Sequence, residues 1–284
     1  MTLKHKQYLF IFFLISFTAF VMYFVISRQG NAEKQETPVG TSGQVQASIE
    51  RRIDSTELQS KLQIIVNNYP EFDIGIAFVS PQLGDPIAID GEIPFVAAST
   101  TKVITAAYAL HQAQLGNVSL NDIIGNDTLN NNIRNMIVHS DNDAWAVLLE
   151  YFAYDNITNF GNKYGAVGFD SIQNTINASA MASFMSVILS EGVLTNEYSS
   201  LLKDFMVQSD TGPITLEPRF LPLIKKAGWL DDRLHLTGII ESDSRSDRLA
   251  FAVYIKSKTD ASYPFSSGSN AINEILNVAE SALR

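Results

Sequence analysis

Ser99 and Lys102 stand three residues apart where the extended run Phe95-Val96-Ala97-Ala98 gives way to a helix-like pattern. A serine hydroxyl is a poor nucleophile at neutral pH and needs a base beside it. Residues three apart share a helix face, so the Lys102 amine can lie next to the Ser99 hydroxyl. A capped helix with a solvated lysine fits the same four residues. Two further groupings follow in chain order. Ser140-Asp141-Asn142 offers a hydroxyl and an amide, or a plain turn before a helix. Lys225-Lys226-Ala227-Gly228-Trp229 offers a cation and a glycine on a strand, or a pair of surface lysines. A hydroxyl, an amine and a second cation drawn from a helix start, a loop and a strand suit acyl transfer. A partly buried lysine near another cation loses proton affinity, as a lysine base requires.

The elements that must position these residues are legible in outline. Leu58, Leu62, Ile65 and Val66 mark a helix capped by Ser55-Thr56 and stopped by Pro70. Asp73 to Ser80 and Pro86 to Ile89 read as a strand pair with Gly84-Asp85 in the turn. The helix that starts at Ser99 runs to about Leu115, closed by Gly116-Asn117. A helical block broken by Asn- and Gly-rich loops extends to about Ser209. Strand signals return at Ile224 to Leu230, His235 to Glu241 and Leu249 to Lys256. A last helix carries Ile272, Ile275, Leu276, Ala279 and Leu283 on one stripe. The pattern predicts a mixed α/β fold of the α+β type: an antiparallel sheet between N- and C-terminal helices, with an inserted all-helical subdomain at about 117–210.

Tyr8 to Ile26 is an uncharged 19-residue segment, long enough to cross a bilayer core. Lys4, His5 and Lys6 precede it and predict a cytoplasmic tail at residues 1–7. We expect an uncleaved signal anchor over 8–26, with a cleaved signal peptide as the alternative. Residues 27–54 are polar and read as a flexible linker, leaving 55–284 as an extracytoplasmic domain in the periplasm or at the cell surface. The net charge of −10 argues against a nucleic-acid partner. The chain has no cysteine, and His111, His139 and His235 lack metal-ligand spacing. No metal or other cofactor is implied.

Ser-x-x-Lys, Ser-Asp-Asn and a Lys-x-Gly strand in this order resemble the class A β-lactamase and penicillin-binding-protein superfamily of serine hydrolases. The resemblance spans roughly Glu57 to Arg284 and implies a five-stranded antiparallel sheet. It implies that Ser99 is acylated, that Lys102 deprotonates it, and that Ser140 relays a proton to the leaving nitrogen. Asn142 would hold the substrate amide, Lys226 would attract its carboxylate, and Gly228 would admit its backbone. The N–H groups of Ser99 and Trp229 would form the oxyanion hole. Substrates would be β-lactams or related cell-wall peptides.

Two departures from the family pattern bear on this. Ala227 replaces the usual Thr or Ser, whose hydroxyl helps bind the carboxylate. No Glu-x-x-x-Asn, the family's water-positioning segment, occurs between Asn142 and Lys226. Asp170-Ser171-Ile172-Gln173-Asn174 has that spacing with a shorter acid, and Asp170 and Asn174 are the candidates for that role. A solvated loop carboxylate is the alternative for Asp170. Without a deacylating base the acyl-enzyme should persist. A penicillin-binding D,D-peptidase, or a wall-peptide binder that kept the fold without catalysis, are the competing readings.

Overall fold

The strand Arg248–Ser257 is apolar on both faces, and the two faces serve different cores. Ala250, Ala252 and Tyr254 face the helical subdomain, while Leu249, Phe251, Val253 and Ile255 face the terminal helices. This period-two division needs cover on both sides of a sheet. The computed structural model describes residues 53–81, 83–190, 192–241, 248–259 and 265–284. The predicted tail at 1–7, membrane segment at 8–26 and most of the 27–54 linker lie outside them. Among the described residues no helix is long and apolar enough to cross a membrane.

The sheet contains β1 (Phe72–Val79), β2 (Ile87–Ile89), β7 (Ile224–Leu230), β8 (Arg233–Glu241) and β9 (Arg248–Ser257) in the order β2-β1-β9-β8-β7. Every neighbouring pair is antiparallel. Its outer face is covered by α1 (Ser55–Asn68) and α8 (Phe265–Leu283), which bury Leu58, Leu62, Ile272 and Ile275 against it. The predicted five-stranded antiparallel sheet and flanking helices are present.

The other face carries the helical subdomain. It comprises α2 (Lys102–Gln114), α3 (Leu129–Val138), α4 (Asn142–Phe152), α5 (Tyr154–Lys163), α6 (Ala178–Leu189) and α7 (Asn196–Val207). The 13-residue α2 runs through its centre and buries Val103, Ile104, Ala106, Ala107 and Leu110 completely. Small two-stranded ladders complete the block. Of these, β4 (Ile123–Ile124) pairs with β5 (Asp127–Thr128), and β3 (Pro94–Val96) pairs with β6 (Thr175–Asn177).

Two boundaries differ from the sequence reading. The N-cap of α1 is Asp54, whose carboxylate accepts the Glu57 N–H at 3.0 Å, rather than Ser55-Thr56. Ile53 is buried in the α1/α8 core, so the folded domain includes the last two residues assigned to the linker. The β3–β6 ladder was not legible, because three-residue strands carry too little pattern to stand out from a loop.

Candidate active site

Ser99 lies in a 3₁₀ turn, Ala98–Thr101, that leads directly into α2. Ala98 has φ +51°, a conformation that a side chain adopts only where the surroundings impose it. Those surroundings are polar and come from two sides. The Thr100 hydroxyl donates to Ala97 O at 2.8 Å and accepts from the Tyr254 hydroxyl at 3.0 Å, which ties the turn to β9. Burial raises the Tyr254 phenol far above its ordinary range, so it remains a neutral donor. On the other side, Asn174 bonds the turn at Ala97, Ala98 and Thr101.

Lys102, the first residue of α2, is fully buried. Its ammonium donates to Ser140 O at 2.6 Å and to the Asn142 side-chain oxygen at 2.7 Å, and lies 5.2 Å from the centre of the Trp145 ring. Burial lowers its pKa to about 8, against a smaller upward pull from Asp141. Trp145 is fixed in turn by its indole N–H, which donates to the Thr105 hydroxyl one turn beyond Lys102. Trp145 is also one turn beyond Asn142 on α4, so both side chains fall on the face toward α2. Trp145 is not among the residues singled out from the sequence, where its three-residue spacing from Asn142 is the available signal.

Ser140 has φ +57°, which turns its carbonyl back toward Lys102 between α3 and α4. Asp141 caps α4, its carboxylate accepting the N–H groups of Asp143 and Ala144 at 2.8 and 2.9 Å. The middle residue of Ser-Asp-Asn thus builds the turn, and its neighbours meet the lysine.

Lys226 enters from β7, an edge strand of the sheet, and is also fully buried. Burial first, and then the nearby Lys102 charge, lower its pKa to about 7, with Asp210 pulling the other way. Among the described residues it donates to its neighbour's carbonyl, Ala227 O, at 3.2 Å. Such a cation is poorly compensated and suits an incoming anion. Lys225 is buried as well, donating to Leu221 O at 2.9 Å and Val207 O at 3.2 Å, so neither lysine is a surface residue. His235, opposite Gly228 on β8, bridges Val96 O and the Ile255 N–H, and burial lowers its pKa to about 4.

Three of the sequence candidates have close partners within the protein's own chain. Gly228 is one of them, because the nucleophile turn lies against it. A Cβ there would stand 2.7 Å from Ser99 N and 2.9 Å from Thr100 N. Asp170 forms a turn: its Oδ1 accepts the N–H groups of Ile172 and Gln173 at 2.7 and 3.0 Å. Asn174 is directed at the nucleophile turn, with both ends of its amide bonded there. The Trp229 ring packs over Gly212, whose φ of +57° and missing side chain make room for it. Ala227 is fully buried among the apolar residues between the sheet and α8.

These features assemble Ser99, Lys102, Ser140, Asn142 and Lys226 around one junction of helix start, loop and strand. Solved structures with the same fold include a β-lactamase from Chitinophaga pinensis, with TM-score 0.71 and 17% identity over 80% of this chain and all of that one. PBP-A is similar, with TM-score 0.69 and 18% identity over 80% of this chain and 96% of its own. A PBP-A mutant solved as an acyl-enzyme complex with penicillin G matches at TM-score 0.68 and 19% identity, over the same shares. No curated protein matches the sequence. The family model described as the beta-lactamase enzyme family matches residues 57–280, and the chain belongs to that family.

Proposed function

We propose that this protein is a serine hydrolase that forms an acyl-enzyme at Ser99 with β-lactams or related cell-wall peptides, and that it releases the acyl group slowly. The observation that carries the reading is the placement of Lys102. It is buried, lies one helical turn from Ser99, and is held by Ser140 O and the Asn142 amide oxygen. A neutral lysine amine has two N–H groups and one lone pair. Two donors directed at Ser140 O and Asn142 leave the lone pair for the Ser99 proton. A pKa of about 8 makes that neutral form accessible near neutral pH.

In the proposed reaction, Lys102 takes the Ser99 proton as Oγ bonds to the carbonyl carbon. The N–H groups of Ser99 and Trp229 receive the oxyanion. The Ser140 hydroxyl gives its proton to the ring nitrogen as the carbon–nitrogen bond breaks, and recovers one from the protonated lysine. The Nδ2 donor of Asn142 holds the substrate amide, and Lys226 attracts its carboxylate. An anion beside Lys226 would raise its pKa and hold it charged.

Slow release is supported by the occupation of Asp170 and Asn174 in other bonds. The likeness to PBP-A, whose mutant was captured as a penicillin G acyl-enzyme, also supports it. Residues 8–26 would anchor the domain outside the cytoplasm, as the uncharged 19-residue run and its basic flank suggest. A chromogenic cephalosporin distinguishes the outcomes. A stoichiometric burst followed by slow turnover is expected; rapid steady turnover would contradict slow release. Absence of any burst or turnover would favour a non-catalytic wall-peptide binder.

A further inference from the structure

We infer that Asn174 is a positioning residue for acylation, a buckle that holds the nucleophile turn in shape, and that it takes no part in directing water to the acyl-enzyme. The inference rests on the acyl-transfer reading above. Three polar groups of this one residue bond the turn. Its carbonyl accepts the Ala97 N–H at 2.8 Å, its Nδ2 donates to Ala98 O at 2.8 Å, and its Oδ1 accepts the Thr101 hydroxyl at 2.6 Å. The bonded residues flank Ser99 on both sides. Thr101 is fully buried, so its hydroxyl needs an acceptor within the protein. Ala98, at φ +51°, needs an external constraint to stay where it is.

The loop that presents Asn174 explains the Asp-x-x-x-Asn spacing without any role for water. Asp170 and Thr175 exchange backbone hydrogen bonds, each at 3.1 Å, and close the loop. The Asp170 carboxylate fills it by accepting from Ile172 and Gln173. Asn174 then turns at φ +50°, a conformation asparagine tolerates, and its amide meets the Ser99 turn. Immediately afterward β6 pairs with β3, which leads into that same turn. The acid shapes the loop, and the amide at its end delivers the restraint. Tyr254, through Thr100, restrains the turn from the sheet side.

Asn174→Gly is the direct test. It removes both side-chain bonds while suiting the backbone conformation, so strain is not added. The acylation rate of Ser99 by a fluorescent penicillin should fall roughly ten- to hundredfold. The lifetime of the acyl-enzyme and the pH profile of acylation should stay as in the wild type. Thr101→Val should lower the acylation rate by less, and serves if the glycine variant does not fold. Asp170→Asn, which keeps the Oδ1 acceptor and removes the charge, should leave both rates unchanged. Amide exchange over 97–101, measured without any β-lactam, should quicken in the Asn174→Gly variant. An unchanged acylation rate would overturn the inference. So would an acyl-enzyme lifetime lengthened severalfold by both Asn174→Gly and Asp170→Asn, the signature of a water-directing pair. A wild-type protein that takes no label would overturn the acyl-transfer reading instead. The exchange measurement would then decide the buckle, and unchanged exchange would reject it.

Discussion

The Lys102 ammonium donates to the Asn142 side-chain oxygen at 2.7 Å, joining the start of α2 to the start of α4. The bond crosses 40 residues of sequence and links the lysine of one motif to the asparagine of the next. It gives the neutral lysine an orientation as well as a partner. Asn142→Ala removes that acceptor and the donor proposed to hold the substrate. Acylation should fall roughly ten- to hundredfold, the worth of a hydrogen bond to a charged group. Asn142→Asp places a carboxylate beside the ammonium and favours its charged form. The pH profile of acylation should therefore move upward, which rate measurements from pH 6 to 10 would reveal.

Lys102 carries a stability cost with a definite pH dependence. Its pKa is lowered from the ordinary 10.5 to about 8 by burial. The unfolded chain therefore binds the proton more tightly than the folded one. The penalty is fully present below about pH 8 and fades as pH rises toward 10.5. Lys102→Met should abolish acylation yet stabilise the fold by about 1–3 kcal/mol at pH 7. Denaturant melts at pH 7 and pH 10 check this. The gain should be smaller at the higher pH, and a gain that is the same at both would remove burial of the charge as its cause.

His235 makes a prediction of the same sign at acid pH. It is buried as a neutral ring between Val96 O and the Ile255 N–H, and its pKa falls to about 4. Above the unfolded pKa of 6.5 the ring is neutral in both states and carries no penalty. The cost of its lowered proton affinity builds up as pH falls from 6.5 toward 4. Its size is on the order of 3 kcal/mol, at 1.36 kcal/mol per pKa unit. His235→Gln should flatten the loss of stability between these pH values. An unchanged acid limb would show that other groups dominate it.

Gly228→Ala should damage the site even though it adds one methyl group. The new Cβ would press on Ser99 N and Thr100 N, backbone atoms that cannot move independently of the nucleophile. A destabilisation of about 1–3 kcal/mol is expected from overpacking. Acylation should fall more than this loss of folded protein explains. Melting curves and labelling kinetics on the same samples separate the two effects.

The sequence was legible where chemistry and periodicity coincide. Ser99 and Lys102 are three apart on a helix start, and the strand run at 249–256 is dense enough in apolar residues to announce a buried strand. Ser140, Asn142 and Lys226 could be grouped with them because their motifs keep a recognisable order. The unread parts depend on partners distant in sequence. Asp170 and Asn174 have a catalytic-looking spacing, but their bonds are fixed by where the 170–174 loop meets the Ser99 turn. Gly228 reads as room for a substrate, and nothing in the sequence says that Ser99 N also lies beside it. Lys225 reads as a surface charge until Val207 O and Leu221 O converge on it. Tyr254 is hidden within a strand where any aromatic would have fitted the pattern.

In the proposed reaction Ser99 is acylated and keeps its acyl group. Intact-protein mass spectrometry after brief exposure to penicillin G tests it most directly. A single adduct of the penicillin mass is predicted, mapped to Ser99 after digestion, absent from Ser99→Ala, and still present long after the free drug is removed. An adduct on another residue, persistence of the adduct in Ser99→Ala, or full release within seconds would contradict the account.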